Sequence, residues 1–155
     1  MIEAQIIIIS LAVFGLVFLV FMLKKKDILV ELFIAALISA VWVLINRLYI
    51  YDDINYIILG LSIFPWICWT AGLVLAKEFY EWMNFKGKFF VMLIVYWIGV
   101  IVLEYVGYNY FGIQLASEYV GLFGYNLMHM PYWGQIYYLS IAPVYVLIMN
   151  FLEVE

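Results

Sequence analysis

Charged side chains are scarce in this chain of 155 residues, of which only 12% are charged. A soluble domain of similar length has about 25% charged and about 45–50% apolar residues. Here the hydrophobic fraction is 70% and the mean hydropathy is +1.12. Because so few charged groups cannot cover so much apolar surface in water, the composition predicts a protein whose solvent is lipid.

Cysteine is nearly absent, and so are the short motifs that identify common chemistry. The single cysteine, Cys68, excludes an intramolecular disulfide and a cysteine-based metal cluster. The sequence has no nucleophile elbow, phosphate-binding loop, dinucleotide fingerprint or zinc-protease spacing. Its few basic residues form no pattern typical of nucleic-acid binding. We therefore expect no metal, no cofactor and no nucleic-acid partner.

Long apolar runs dominate the sequence. A helix needs about 20 mostly apolar residues to cross a hydrocarbon core of about 30 Å, and backbone in lipid is satisfied only in helices or closed barrels. The runs lack the two-residue alternation of a barrel. The sequence therefore predicts an all-α, polytopic integral membrane protein with one membrane domain, residues 1–155. Its five predicted transmembrane helices cover residues 6–23, 28–50, 56–76, 89–108 and 133–152.

The positions of the basic residues predict the orientation of these helices. Six lysines fall in the first and third loops, which five crossings place on one side, and only Arg47 falls on the other side. Basic residues collect on the cytoplasmic side of membrane proteins. We therefore expect a multi-pass protein of the cell membrane with an outer N-terminus and a cytoplasmic C-terminus. Because lysines follow the first run rather than precede it, that run is typical of a retained anchor.

Two features near the predicted inner surface are interpreted as structural. Residues 77–82 predict an interfacial loop after the third helix, in which Lys77 and Glu81 are four residues apart and can pair. Glu31 is the fourth residue of the second helix and is expected to pair near the inner headgroups. Neither feature is predicted to be a functional site.

The pattern L-S-I-x-P occurs twice, at residues 61–65 and 139–143, and predicts a proline near the middle of the third and fifth helices. Proline removes a backbone hydrogen bond and frees the carbonyl four residues earlier. A nearby hydroxyl, such as that of Ser62 or Ser140, or a neighbouring helix can satisfy that carbonyl. The two prolines are interpreted either as simple kinks or as kinks that open an outward cavity.

Glu104 is the most informative ionisable residue, because it lies inside the fourth predicted helix. Ionisable residues at membrane depth are candidates for function. Glu104 has two interpretations, a structural pair with Arg47 of the second helix or, without such a partner, a proton donor.

The outer segment, residues 109–132, is rich in glycine and tyrosine and contains the only histidine, His129. Its glycines argue against one continuous helix, so we expect a re-entrant or surface-lying cap over the outer ends of the helices. His129 is interpreted either as an interfacial hydrogen-bonding group or as part of a site. The candidate catalytic residues are Glu104 and His129, and the candidate substrate-binding residues are Arg47, Trp97, Tyr108, Tyr125 and Trp133.

Three short elements lie between residues 104 and 143, namely Glu104-x-x-Gly107, Gly121-x-x-Gly124-Tyr125 and Met130-Pro131. Their order resembles that in carotenoid-modifying membrane proteins, the bacterioruberin-pathway hydratases and the lycopene-cyclase-type domains. This resemblance implies an all-helical protein that acts on a long polyene within the bilayer, with carboxylates as proton donors.

Three hypotheses about function follow from these observations. The first is a protein that binds or modifies a lipid or isoprenoid in an outward aromatic cavity, with Glu104 as the acid and His129 or Tyr125 as helper. The second is a non-catalytic accessory subunit of a membrane complex. The third is an oligomeric transporter or channel. The expected partners are accordingly the bilayer, a lipid or isoprenoid ligand, and either a second copy of the chain or another membrane protein.

Overall fold

Four helices form the body of the protein in a computed structural model of the chain. The structure describes residues 13, 15, 28–45, 49–50, 57–110, 114–115, 119–125 and 128–152. The helices are α1 (Ile28–Ile45), α2 (Ile63–Trp82), α3 (Lys88–Tyr110) and α4 (Tyr132–Leu152), and a short 3-10 turn spans Leu122–Gly124. Helix α2 contacts the other three helices, and α4 also contacts α1 and α3.

Three of these helices, α1, Lys88–Gly107 within α3, and α4, are long and apolar enough to cross a membrane. The prediction of a mainly helical protein with apolar helices of membrane-spanning length is thereby confirmed. Helix α2, whose last turns carry Lys77, Glu78 and Glu81, is not among the three. The first predicted span lies outside the described residues, apart from Val13 and Gly15, which are helical.

Two small antiparallel strand pairs interrupt the all-helical prediction. Strand β1 (Tyr49–Ile50) pairs with β4 (Gln114–Leu115), and β2 (Ile57–Ile58) pairs with β3 (Leu61–Ser62). Helix α1, which corresponds to the predicted span 28–50, therefore ends at Ile45, earlier than predicted. Helix α2, which corresponds to the predicted span 56–76, begins only after the β2–β3 hairpin. These strands use backbone hydrogen bonds that the connections between helices would otherwise leave unmade.

The third helix differs from its prediction at both ends, with consequences for Pro65. Helix α2 starts at Ile63, so Pro65 lies in its first turn and not in mid-helix. A proline there removes no helical hydrogen bond, because the first N–H groups of a helix have no intrahelical partner. The predicted mid-span interruption at Pro65 is therefore wrong. Residues 77–82, predicted as a loop, are the last turns of the same helix.

Pro143 lies inside α4 as predicted. The carbonyl that it leaves without a helical donor, however, is not satisfied by the predicted hydroxyl of Ser140. Ser140 Oγ donates to the Tyr137 carbonyl, 3.2 Å away. The carbonyl that Pro143 frees is that of Leu139, and it accepts a hydrogen bond of 2.9 Å from the indole Nε1 of Trp97 on α3. The neighbouring helix, and not the serine, therefore compensates for the proline.

Further hydrogen bonds of this kind join α1 to its neighbours. Trp66 Nε1 on α2 donates to the Ala36 carbonyl at 2.8 Å, and the fully buried Tyr145 on α4 donates to the Glu31 carbonyl at 3.0 Å. In lipid such bonds act together with close packing, because burying apolar surface there gives no advantage over contact with acyl chains. The core residues that surround them are Ala35, Trp42, Val43, Leu73, Val74, Ile141, Ala142, Val146 and Met149.

Candidate functional site

Glu104 is joined to α4 by a short hydrogen bond. It lies sixteen residues into α3, about 24 Å from Lys88 along the helix axis at 1.5 Å per residue. The hydroxyl of Tyr138 donates to Glu104 Oε1 at 2.6 Å, and the Glu104 side chain is half-buried. The predicted partner, Arg47, lies outside the described residues. A contact from α4 to Glu104 is therefore present, and it comes from a tyrosine.

Tyr138, which donates to Glu104, belongs to an aromatic cluster. The other members of this cluster are Trp42, Trp69 and Tyr137. Trp69 meets Tyr138 edge to face with ring centroids 4.6 Å apart, and Trp42 stacks on Tyr137 at 4.3 Å. Both distances are typical of favourable aromatic pairs. The cluster unites α1, α2 and α4, and sequence reasoning missed it. The seven-residue spacing of Tyr138 and Tyr145 places both hydroxyls on one face of α4, and it is a sequence signal for the hydrogen bonds of these tyrosines to Glu104 and Glu31.

Two neighbouring residues of α3 hold the backbone of α4 beside this cluster. Tyr96 donates to the Tyr138 carbonyl at 2.5 Å, next to the bond from Trp97 to the Leu139 carbonyl. Trp97 is one of the predicted substrate-binding residues, and its N–H forms a hydrogen bond within the protein. That bond satisfies a carbonyl of α4 and fixes the part of α4 that carries Tyr138.

The strap, which we define as the described residues 119–125 and 128–131, folds against α3 and α4 through its methionines. Met128 and Met130 are each 1% exposed and pack with Val100 of α3, in contact with Tyr138. A Cβ on Gly134 would lie 3.3 Å from Met130 Sδ, so the absence of a side chain there lets the strap approach α4. The described part of residues 109–132 thus packs on α3 and α4 through thioethers.

Gln135, in the first turn of α4, fastens the strap. Its buried amide Nε2 lies 3.0 Å from the Met130 carbonyl, 3.4 Å from that of Met128 and 3.5 Å from that of Val120. Sequence reasoning missed this residue, although a glutamine in an apolar helix is a known type of polar contact between membrane segments. The strap therefore depends on one side chain of α4 for much of its hydrogen bonding.

Three further candidate residues that the structure describes have more exposed side chains. Tyr125 is 70% exposed and Trp133 is 50% exposed, while His129 is half-buried. The side chain of Tyr108 lies outside what the structure describes. Among the predicted site residues that the structure describes, Glu104 and Trp97 both form hydrogen bonds to α4, Glu104 through Tyr138 and Trp97 through Leu139.

A second polar site lies at the other end of the bundle and is formed by Glu31, Lys77, Glu78 and Glu81, here called the charged cluster. Glu31 is 1% exposed and Lys77 is fully buried. Lys77 Nζ donates to Glu81 Oε1, which confirms the predicted pair. Carboxylate oxygens of the three glutamates lie within 4.8 Å of one another.

The charged cluster corrects one interpretation of the sequence. Residues 77–82 were predicted as an interfacial loop, but Lys77 is buried within α2. Glu31, which was expected to pair near the inner headgroups, is buried beside Glu78 and Glu81. In the described part of the chain, these three glutamates are close enough to hold a metal ion. Lys77 already supplies a positive charge at the same place, so the arrangement works as a buried ion-pair network between α1 and α2.

Comparison of the chain with protein-family models, with curated proteins and with solved structures gives no match.

Proposed function

We propose that this protein binds a lipid or isoprenoid along the membrane-facing side of α3 and uses Glu104 as a proton donor to it. The observation that carries the proposal is the hydrogen bond from Tyr138 to Glu104, 2.6 Å long and next to the aromatic cluster. A carboxyl group at membrane depth is expensive to keep and is a candidate for function for that reason. The resemblance to carotenoid-modifying proteins supports the same chemistry.

The route by which such a ligand reaches Glu104 is lateral. On α3, Val102 is 52% exposed, Leu103 is 70% exposed and Tyr105 is 49% exposed, and these residues flank Glu104. A hydrocarbon chain in the bilayer can therefore lie against α3 without entering the protein from water. The strap covers the neighbouring part of α3 and α4 through Met128 and Met130.

The chemistry expected of this arrangement is acid catalysis on a double bond. Glu104 gives its proton to one alkene carbon, and the adjacent carbon becomes cationic. The carboxylate that remains on Glu104 accepts a hydrogen bond from the Tyr138 hydroxyl. Aromatic faces attract cations, and Tyr138 and Trp69 supply such faces here. Attack by water completes a hydration and loss of a proton completes an isomerisation, and in both cases Glu104 regains its proton.

The test is to purify the protein in mild detergent and to identify the co-extracted lipids by mass spectrometry. We expect one enriched isoprenoid or lipid class in the wild type. Glu104→Gln keeps an acceptor for Tyr138 but has no acid proton, so it should retain unconverted substrate. Tyr138→Phe removes the hydroxyl that stabilises the Glu104 carboxylate, so it should also retain unconverted substrate, with conversion slowed about fivefold, the equivalent of one net hydrogen bond of about 1 kcal/mol.

The matched control is Tyr110→Phe, which removes an exposed hydroxyl from the last turn of α3 and should leave the ligand unchanged. Lipid in bulk proportions, or the same species from wild type and Glu104→Gln, would contradict the proposal. A tightly co-purifying protein would instead favour an accessory subunit. A stable homo-oligomer with polar faces turned inward would favour a transporter or channel.

We also propose five crossings in the cell membrane, with an outer N-terminus and a cytoplasmic C-terminus. This topology is supported by the succession of four helices along the chain and by the grouping of the lysines in the first and third predicted loops. The test uses single cysteines in a Cys68→Ala background and a membrane-impermeant maleimide. We expect Phe123→Cys to react in intact cells and Lys86→Cys to react only after permeabilisation, since both native side chains are exposed. The reverse pattern would invert the topology.

A further inference from the structure

Residues 82–88, which connect α2 to α3 and include the end of one helix and the start of the other, are here called the α2–α3 turn. This turn combines an anchored backbone with exposed aromatic rings. Met83 is 5% exposed and fixes this turn to the core, and Gly87 turns the chain with a φ of +89°. Trp82 is nevertheless 80% exposed and Phe85 is 51% exposed. Large rings held outward by a buried anchor are suited to a contact outside the bundle.

The same turn presents two lysines at the boundary of a membrane helix. Lys86 is exposed, and Lys88 begins the span Lys88–Gly107. Lys88 Nζ lies 4.0 Å from the centre of the Tyr80 ring, so its ammonium group is held beside the turn by a cation–π contact. The nearby carboxylate of Glu81 is engaged by Lys77. Positive charge and exposed aromatic rings therefore meet at the level where α3 enters the membrane.

We propose that the α2–α3 turn is a binding site for the headgroup of an anionic phospholipid. Trp and Tyr rings favour the interface between water and acyl chains, and a lysine beside an anionic leaflet contributes about 1 kcal/mol. Charge complementarity selects this partner, because a zwitterionic headgroup has no net charge to offset Lys86 and Lys88. The inference requires that α3 spans the membrane, and it depends neither on the orientation nor on the chemistry of Glu104.

The experiment measures fluorescence quenching of Trp82 in vesicles of equal parts phosphatidylglycerol and phosphatidylcholine. Bromine atoms are placed on the acyl chains of one lipid or of the other, and the signal of Trp82 is the difference between the wild type and Trp82→Phe. We expect stronger quenching when phosphatidylglycerol carries the bromine. Lys86→Gln should reduce this preference about fivefold, the equivalent of about 1 kcal/mol.

The matched control is Lys86→Arg, which keeps the charge and should keep the preference. Both Lys86 variants change an exposed side chain, so their folding should equal that of the wild type. Equal quenching by the two brominated lipids in the wild type would overturn the proposal. A preference that survives in Lys86→Gln, or one that is lost in Lys86→Arg as well, would also overturn it, because charge would then not be what is recognised.

Discussion

Replacing Lys77 with methionine is expected to lower the free energy of unfolding by about 3–5 kcal/mol, the usual effect of removing one member of a buried ion pair. Lys77 is fully buried and donates to Glu81, and the carboxylate oxygens of Glu81, Glu31 and Glu78 lie within 4.8 Å of one another. Methionine has similar length but no charge, so the carboxylates would repel one another where the cation had been. Unfolding in mixed micelles with increasing dodecyl sulfate, followed by circular dichroism, measures the change.

The control for this prediction is Lys86→Met, which removes an exposed lysine and should change stability by no more than about 0.5 kcal/mol. A second variant, Lys77→Met with Glu81→Gln, removes one carboxylate together with the lysine and should recover part of the loss. Equal stability of Lys77→Met and Lys86→Met would show that the charged cluster contributes nothing to the fold.

The second large effect concerns the bond from Trp97 to the Leu139 carbonyl. Trp97→Phe leaves that carbonyl without its indole donor beside Pro143. A carbonyl left unsatisfied away from water, as on a helix that crosses a membrane, costs about 1–3 kcal/mol. Pro143→Ala supplies an N–H that can bond to the same carbonyl along the helix. In the Pro143→Ala background, Trp97→Phe should therefore cost less than about 0.5 kcal/mol. The difference between the two backgrounds is the coupling energy of the pair.

The same detergent unfolding assay, applied to all four members of this cycle, measures the coupling. Trp82→Phe is the matched control, since Trp82 is 80% exposed and should show the same small effect in both backgrounds. If Trp97→Phe were equally harmful with and without Pro143, the indole would stabilise the protein by packing and not by compensating for the proline.

The sequence predicts the apolar helices well but not where one of them begins. Hydropathy is a property of a long run, so the spans at residues 28–50, 89–108 and 133–152 each contain much of a helix. The start of α2 depends on the β2–β3 hairpin, which few residues of the local sequence indicate. Pro65 does not locate this start, because proline is found both in the first turn of a helix and at a kink in mid-helix. Only the pairing of β2 with β3 decides between them.

The candidate site was predictable to the same partial extent. Depth along a helix identifies Glu104 from the sequence, because position in a span requires no knowledge of the tertiary structure. Glu104 and its partner Tyr138 are 34 residues apart in the sequence, and their contact arises from the packing of α3 on α4. The pair of Lys77 and Glu81 follows from helical spacing, whereas the burial of Lys77 requires α1 beside it.

The fastening of the strap by Gln135 has a consequence for the order of events during synthesis. The strap precedes Gln135 in the chain, so the carbonyls of Val120, Met128 and Met130 leave the ribosome before the amide that holds them. Gln135 takes its position only when α4 is helical and packed against α3. The strap therefore gains these hydrogen bonds only after α4 has formed, and a ribosome stalled before α4 is complete would leave the three carbonyls without the Gln135 amide.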